Sequence, residues 1–446
     1  MIYFLSIKEK KGLMVRRLRF ENKVILLALC VLIVSNIFAY SIFDLRYGSE
    51  VPHHDARVAA LGGTGVAGGF TLMDASINPA NMYFLGDKYG AQFTYSLIKN
   101  SENRALPLWN FFDSYIDEST FARNESFYNE VSVGAFYGLP LGDSKLSFAF
   151  LYRPVMNFGA DYYEEMRNDQ SSDMDSYPPI IAKNFIESEG LLNSYNLLLN
   201  WGMPVCFGRI VDDCIISFGT EISFLKGEHK YDTRIHWTEL AHERAGAGVL
   251  PDSLYKYQNK IDGVSFKFGL NSQLNQRVRL GFAYTPKATL NQDASFVTVK
   301  SANSDDFRNL PDKSKIETGD FILPTKYRFG VLFQPRNPFK TNFHVDFELI
   351  QNSEINKFFD NGYAFHVGME HYVGRAVPMR LGFSHQTAKQ DRGIALPSVS
   401  LGTSFPVMQN LQLDLAGTYG KRDYIAILFG NIALTQDKNQ EKEDKK

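Results

Sequence analysis

The sequence is poor in several features that common protein classes need. It has 3 cysteines and 3 tryptophans in 446 residues, too few thiols for a disulfide-built scaffold. Its one long apolar run, residues 24–34 (VILLALCVLIV), stops well short of the ~20 residues that a membrane-spanning helix requires. The mean hydropathy of -0.21 points the same way. A formal net charge of -2 gives no reason to expect nucleic acid as a partner. No phosphate-binding glycine loop, zinc-hydrolase helix or Ser-His-Asp set occurs in a suitable context, so no catalytic group and no cofactor are expected and the chain is not read as an enzyme.

Other features are abundant. Aromatic residues make up 14% of the chain, with 36 Phe and 23 Tyr, and there are 34 Gly. The apolar run follows Arg16, Arg17, Arg19 and Lys23 and precedes Ala39-Tyr40-Ser41. A basic start, a short apolar stretch and small residues at the cleavage spacing describe a signal peptide over residues 1–41. Translation from Met14 would make residues 1–13 an extension. Cys30 follows Leu27-Ala28-Leu29, not the small residue usual before a lipid-modified cysteine.

From residue 88 onward the chain alternates with period two. Phe343, Val345, Phe347 and Leu349 interleave with His344, Asp346, Glu348 and Ile350; Tyr195, Leu197, Leu199 and Trp201 do the same with Asn196, Leu198 and Asn200. Such alternation sends successive side chains to opposite faces of a strand. Similar runs lie near 88–98, 128–140, 145–154, 193–206, 214–226, 262–273, 277–287, 325–335, 340–350, 362–373, 378–388, 395–406, 410–420 and 423–435. Short turns alternate with longer polar links near 99–127, 155–192, 227–261, 288–324, 351–361 and 389–394. A soluble sandwich also alternates in this way. Runs of 10–13 residues and alternating link lengths favour an all-β, transmembrane antiparallel barrel of about 14 strands, with outer-membrane lipid against its outer face.

A barrel this wide is not filled by its own side chains. The segment 42–87 precedes the first strand and is rich in Gly and Ala. It is expected to be an N-terminal periplasmic plug, the barrel then spanning 88–435 and a charged tail 436–446. Pro79 fixes φ and disfavours helix at Asn78, which would bend the plug toward the first strand.

The stretch ARVAALGGTGVAGG followed by DASINPANM, residues 56–82, resembles the N-terminus of FadL-like outer-membrane transporters and of the related PorV/PorQ-type barrels. The matching residues are Gly62, Gly63, Gly65, Asp74, Ala75, Asn78, Pro79 and Ala80, with Asn81 where Gly is usual. HVGMEHYVGRAVPMRLGFSH, residues 366–385, resembles a hairpin of the same barrels. The resemblance implies a plugged barrel in a bacterial outer membrane. It implies either passage of hydrophobic small molecules, with release through the plug or a gap in the wall, or a component of a secretion or surface-attachment system with protein partners. Gly62, Gly63, Gly65, Asp74, Asn78, Pro79 and Ala80 are the candidate plug and gating residues.

Charged residues fall on the expected inner face: Glu221, Lys267, Arg277, Arg279, Arg328, His344, Asp346, Glu348, His366, Glu370, Arg380 and Asp414. They are read first as a lumen network, with Arg277, Arg279, Arg328 and Arg380 toward the short-turn end and able to hold the plug. Asp346 and His366 should face each other on adjacent strands. The loop HWTELAH, residues 236–242, lacks zinc-hydrolase spacing. Cys206 and Cys214 flank one turn, so a disulfide or two packed thiols are both open.

Overall fold

The computed structural model describes residues 46–86, 88–109, 115–167, 179–205, 214–245, 250–301, 315–336, 340–373, 377–387, 397–408, 411–420 and 427–435. Residues 1–41, where a signal peptide is expected, Cys206 and residues 436–446 lie outside the described residues.

The elements in chain order are β1 (Ser49–Glu50), α1 (Ala56–Ala60), β2 (Tyr89–Trp109), β3 (Tyr115–Leu141), β4 (Ser144–Asn157), β5 (Ala160–Arg167), β6 (Ile180–Pro204), β7 (Ile215–Trp237), α2 (Glu239–Ala245), β8 (Asp252–Asn275) and β9 (Val278–Thr285). They continue with β10 (Ala288–Ser301), β11 (Lys315–Leu323), β12 (Lys326–Phe333), β13 (Thr341–Ile350), β14 (Gly362–Val373), β15 (Val377–Gln386), β16 (Pro397–Met408), β17 (Leu411–Gly420) and β18 (Ile427–Thr435).

Every strand edge carries N–H and C=O groups that must be satisfied, and a ring of strands satisfies them all. The antiparallel ladders run β2-β3-β4-β6-β7-β8-β9-β12-β13-β14-β15-β16-β17-β18. The last strand then pairs with the first, from Ile427↔Ile98 to Thr435↔Gly90. Fourteen wall strands therefore close on themselves, and each coincides with one period-two run of the sequence.

The faces are inverted relative to a soluble sandwich. On β13, Phe343, Val345, Phe347 and Leu349 are 38–41% exposed, whereas His344, Asp346 and Glu348 between them are 8% exposed or less. Large apolar side chains look outward from nearly every wall strand, and the polar ones are enclosed. This is the arrangement that lipid outside and protein inside would stabilise.

The expected long links differ most from the sequence reading. Much of 99–127, 155–192, 227–261 and 288–324 is strand, because β2, β3, β6, β7 and β8 continue past the apolar band and β5, β10 and β11 join them. At ~3.3 Å per residue, the 23 residues of β7 are far longer than the ~25 Å apolar band requires. The outward row of β7 changes accordingly, from Phe218, Ile222 and Phe224 to Lys226, Glu228, Lys230 and Arg234. Beyond that level ion pairs span the strands, Lys256 to Asp232 at 3.2 Å among them.

Candidate functional site

Residues 46–86 pack against the inward faces of the wall. Asp55 caps α1 by accepting from the Val58 N–H at 2.9 Å, and α1 rests on β15 to β18. A 3-10 turn at Leu72–Ser76 rests on β2 and β3, and a second at Pro79–Phe84 rests on β4, β6, β7 and β8. Pro79 opens that second turn and Asn78 before it is extended (φ -139°), as a residue before proline should be. The wall meets the segment with glycine. A Cβ on Gly219 or Gly269 would collide with Asn78, Pro79 or Ala80, one on Gly281 with Val66, and one on Gly382 with Gly62. Gly62 itself has φ +68°, a conformation that other residues rarely adopt.

Polar side chains of the wall then satisfy the segment's backbone. Asp346 accepts from the N–H groups of Gly65 and Val66 at 2.8 and 3.0 Å. Arg328 donates to the Gly63 carbonyl at 3.1 Å and lies 3.4 Å from Glu348 and 4.0 Å from Asp346. His366, the register partner of Asp346, places Nδ1 2.7 Å from the Gly62 carbonyl. Lys267 donates to Ser76 O and Arg279 to Gly68 O, and the Arg279 guanidinium lies 3.7 Å over the Phe84 ring. Ser217 Oγ donates to Ala80 O at 2.9 Å. Within the segment, Asp74 gathers the N–H groups of Gly69, Phe70 and Thr71, and Asn78 donates to Val66 O at 2.7 Å.

The inner-face charges form a chain of pairs. Arg57 of α1 pairs with Glu370, Glu370 lies 3.7 Å from Arg380, and Arg380 lies 3.3 Å from Asp414. Two cations and two anions thus neutralise one another in a place closed to water. Arg57, Gln92, which donates to Asp55 at 2.6 Å, and Ser400, which accepts from Gly62 N at 3.0 Å, were not singled out from the sequence. Their signal was weak, since a lone Arg in an Ala-rich stretch and small polar residues on an inner face are common.

The four arginines do not share one level. Arg279 and Arg380 stand near short turns. Arg328 does not: it lies at the opposite end of β12, after the long link. Arg277 lies in the β8–β9 turn, where its carbonyl accepts from Gln334 N and its N–H donates to Asn275. Strand direction explains the correction for Arg328, because β12 ends, and does not begin, at a short turn.

The first described residues of the N-terminal segment also lie at the long-link end and not at the short-turn end. β1 pairs with β4, Ser49 opposite Asn157 and Glu50 opposite Met156, and Val51 N donates to Val155 O at 2.9 Å. Tyr47 packs edge-on against Phe359 at 5.1 Å and accepts from Asn356 Nδ2 at 3.0 Å. The segment therefore runs down through the lumen before entering β2.

Between residues 46–54 of the segment, the 351–361 link and the wall lies a cavity of about 420 Å³. Val51, Val155, Met156, Leu225, Phe321 and Leu323 give it apolar walls, and Arg153, Glu221, Lys267, Lys326 and Arg328 give it a charged floor. Its size falls in the range of small-molecule sites, ~300–1,000 Å³. Arg153 pairs with Glu221 at 3.0 Å and approaches His54 Nε2 at 3.3 Å.

Beside this cavity the wall ladder is interrupted. β3 pairs with β4 from Leu141↔Ser144 up to Val133↔Tyr152. It meets β5 only at Ala122–Asn124. Between these, residues 125–132 have no ladder partner on that side among the described residues. β4 turns away at a register shift between Pro154 and Met156, and its freed edge is taken by β1. Asn157 Nδ2 spans the interruption to Glu130 Oε1 at 3.2 Å. Glu130 shares the inward parity of Ser132 and Gly134 and was readable as a lumen acid; nothing local showed that its strand loses a neighbour.

His236 Nδ1 lies 2.9 Å from Asp252, so that loop motif is tied to a carboxylate. Cys214 is buried and free. Among the described residues no three His, Cys, Asp or Glu side chains gather as metal ligands.

No protein-family model matches the chain, and a comparison with curated proteins gives no match. Solved structures do match. The toluene transporter TbuX of Ralstonia pickettii is 14% identical, covers 89% of this chain and 100% of its own, and has a TM-score of 0.55. A FadL homologue of Pseudomonas aeruginosa is 13% identical over 87% of this chain and 99% of its own, with a TM-score of 0.58. The P. putida toluene transporter TodX is 11% identical over 87% and 100%, at 0.54. With its closed ring, enclosed polar lumen and outward apolar faces, the chain shares the fold of these FadL-type transmembrane barrels.

Proposed function

We propose that the protein is an outer-membrane channel for hydrophobic small molecules. They enter between the long-link strands, rest in the cavity and leave sideways through the interruption between β3 and β4. In this reading residues 56–82 are a plug. Gly62, Gly63, Gly65, Asp74, Asn78, Pro79 and Ala80 key it into the wall, and the mobile part of the gate is the stretch before it, β1 above all. The observation that carries the reading is a ladder gap beside a part-apolar cavity. The shared fold with toluene transporters supports it.

The test is uptake of a labelled uncharged probe, 1-octanol, across outer membranes carrying the full chain and across membranes lacking it. Faster entry with the chain supports the reading. Equal rates end it, and stable co-purification with a large partner would then favour the secretion role.

A further inference from the structure

Glu130 of the interruption is hydrogen-bonded across it to Asn157. Glu130 is 4% exposed, and so is Asn157 opposite it. One carboxylate oxygen accepts from Asn157. The other, Oε2, is buried without a hydrogen-bond partner among the described residues. A buried carboxylate oxygen left without a donor is costly, so its retention needs a reason. The buried acids of the cavity, Glu221 and Glu348, face cations: Glu221 has Arg153 and Lys267, and Glu348 has Arg328 and Lys326. No ion pair to Glu130 is present among the described residues. Cations thus stand at the cavity floor, and an acid without a counter-charge stands at the way out.

We propose that Glu130 is a charge filter for the lateral exit, passing uncharged hydrophobic molecules and turning back those that carry a carboxylate. This rests on the exit route proposed above and names the class of molecule that uses it. A molecule leaving the cavity past β1 and out between β3 and β4 must displace the Asn157 amide from Glu130. An uncharged body lets the amide return behind it. A hydroxyl donates to Oε2 in passing. A carboxylate brings a second negative charge to within about 5 Å, and at an effective dielectric of ~20 that repulsion disfavours it by well over tenfold. Arg153 and Lys267 cannot relieve this, since both are held by Glu221 below.

The experiment compares 1-octanol with octanoate, two probes of one chain length, in outer membranes carrying the full protein at about pH 8, above the ordinary carboxylate range. With the native chain, octanol should enter faster than in membranes without it, and octanoate should stay near that background. In Glu130→Gln the octanoate-to-octanol ratio should rise by well over tenfold, on the order of a hundredfold, and in Glu130→Lys further. Heat-modifiable migration in gels confirms that each variant has a folded barrel. An unchanged ratio in both folded variants overturns the filter, and so does equal native uptake of both probes, which leaves the channel standing. Native uptake of neither probe overturns the channel itself and the filter with it. A merely structural Glu130 would slow both probes alike and leave the ratio where it was.

Discussion

Gly382 of β15 and Gly62 of the N-terminal segment meet backbone to backbone, with no space for a Cβ on the wall residue. Gly62 N also donates to Ser400 Oγ at 3.0 Å on the next strand. Replacing Gly382 by Leu should force the segment off the wall. Overpacking of this kind costs ~1–3 kcal/mol. The expected result is a lower unfolding temperature of the detergent-solubilised protein and raised conductance in planar bilayers. Gly319→Ala is the control: a Cβ there meets open space. Conductance of the Leu variant equal to that of the control would refute the seating.

Breaking the Arg57–Glu370 pair should be among the most harmful single changes. Both side chains are nearly inaccessible, at 8% and 0%. Glu370→Gln removes the carboxylate that both Arg57 and Arg380 face. Removing one partner of a buried pair costs ~3–5 kcal/mol. The midpoint of denaturant unfolding reports it, and Glu50→Gln, on a half-exposed partner of Lys326, should cost much less. Equal effects of the two would show that the buried chain of charges contributes nothing special.

A cross-link between β1 and β4 tests the gate. Ser49 and Asn157 are register partners, so Ser49→Cys with Asn157→Cys places two thiols across one ladder position. Oxidation should lower octanol uptake to the level of membranes without the protein, and a reductant should restore it. Undiminished uptake by the fully oxidised protein would rule out movement of β1.

Three buried groups of the segment give opposing pH signatures. His53 is pushed from 6.5 down to about 3, by burial first and then by the charges of His366 and Arg328. His54 is also lowered, by burial and then by Arg153. Both stay neutral in the fold while the unfolded chain takes protons. Their contribution to stability is present above pH 6.5 and is lost as pH falls, at up to ~1.4 kcal/mol per group and pH unit. Asp55 has the opposite sign. Burial first, then Asp74 and Asp414, raise it from 3.8 to about 6, so its contribution weakens as pH rises through that window. Replacing both His53 and His54 by Gln should therefore leave stability near neutral pH little affected through titration, with an advantage over the native chain that grows below pH 6.5. Parallel pH profiles of the two proteins would contradict neutral burial of these rings.

Much of the barrel is legible locally. The alternation of Phe343 to Ile350 is enough to assign two faces, and the same parity identifies Asp346, Glu348, His366 and Glu370 as lumen groups. Their partners are not legible. That Glu370 meets Arg57, 313 positions away, depends on where α1 comes to rest. Arg328 was expected near a short turn, but its level follows from the direction of β12, which puts it at the long-link end. Glu130 had the right parity to be noticed, but its weight comes from a missing neighbour.

The sequence by itself determined the fourteen wall strands within the apolar band, their inward and outward faces, and the need for something to fill the ring, because side-chain alternation is a property of each strand alone. Only the tertiary structure decided that β3 and β4 part company beside a cavity and that β1 covers the breach. Which edges find a partner depends on twist, register shifts and segments far apart in the chain, and none of these leaves a local mark.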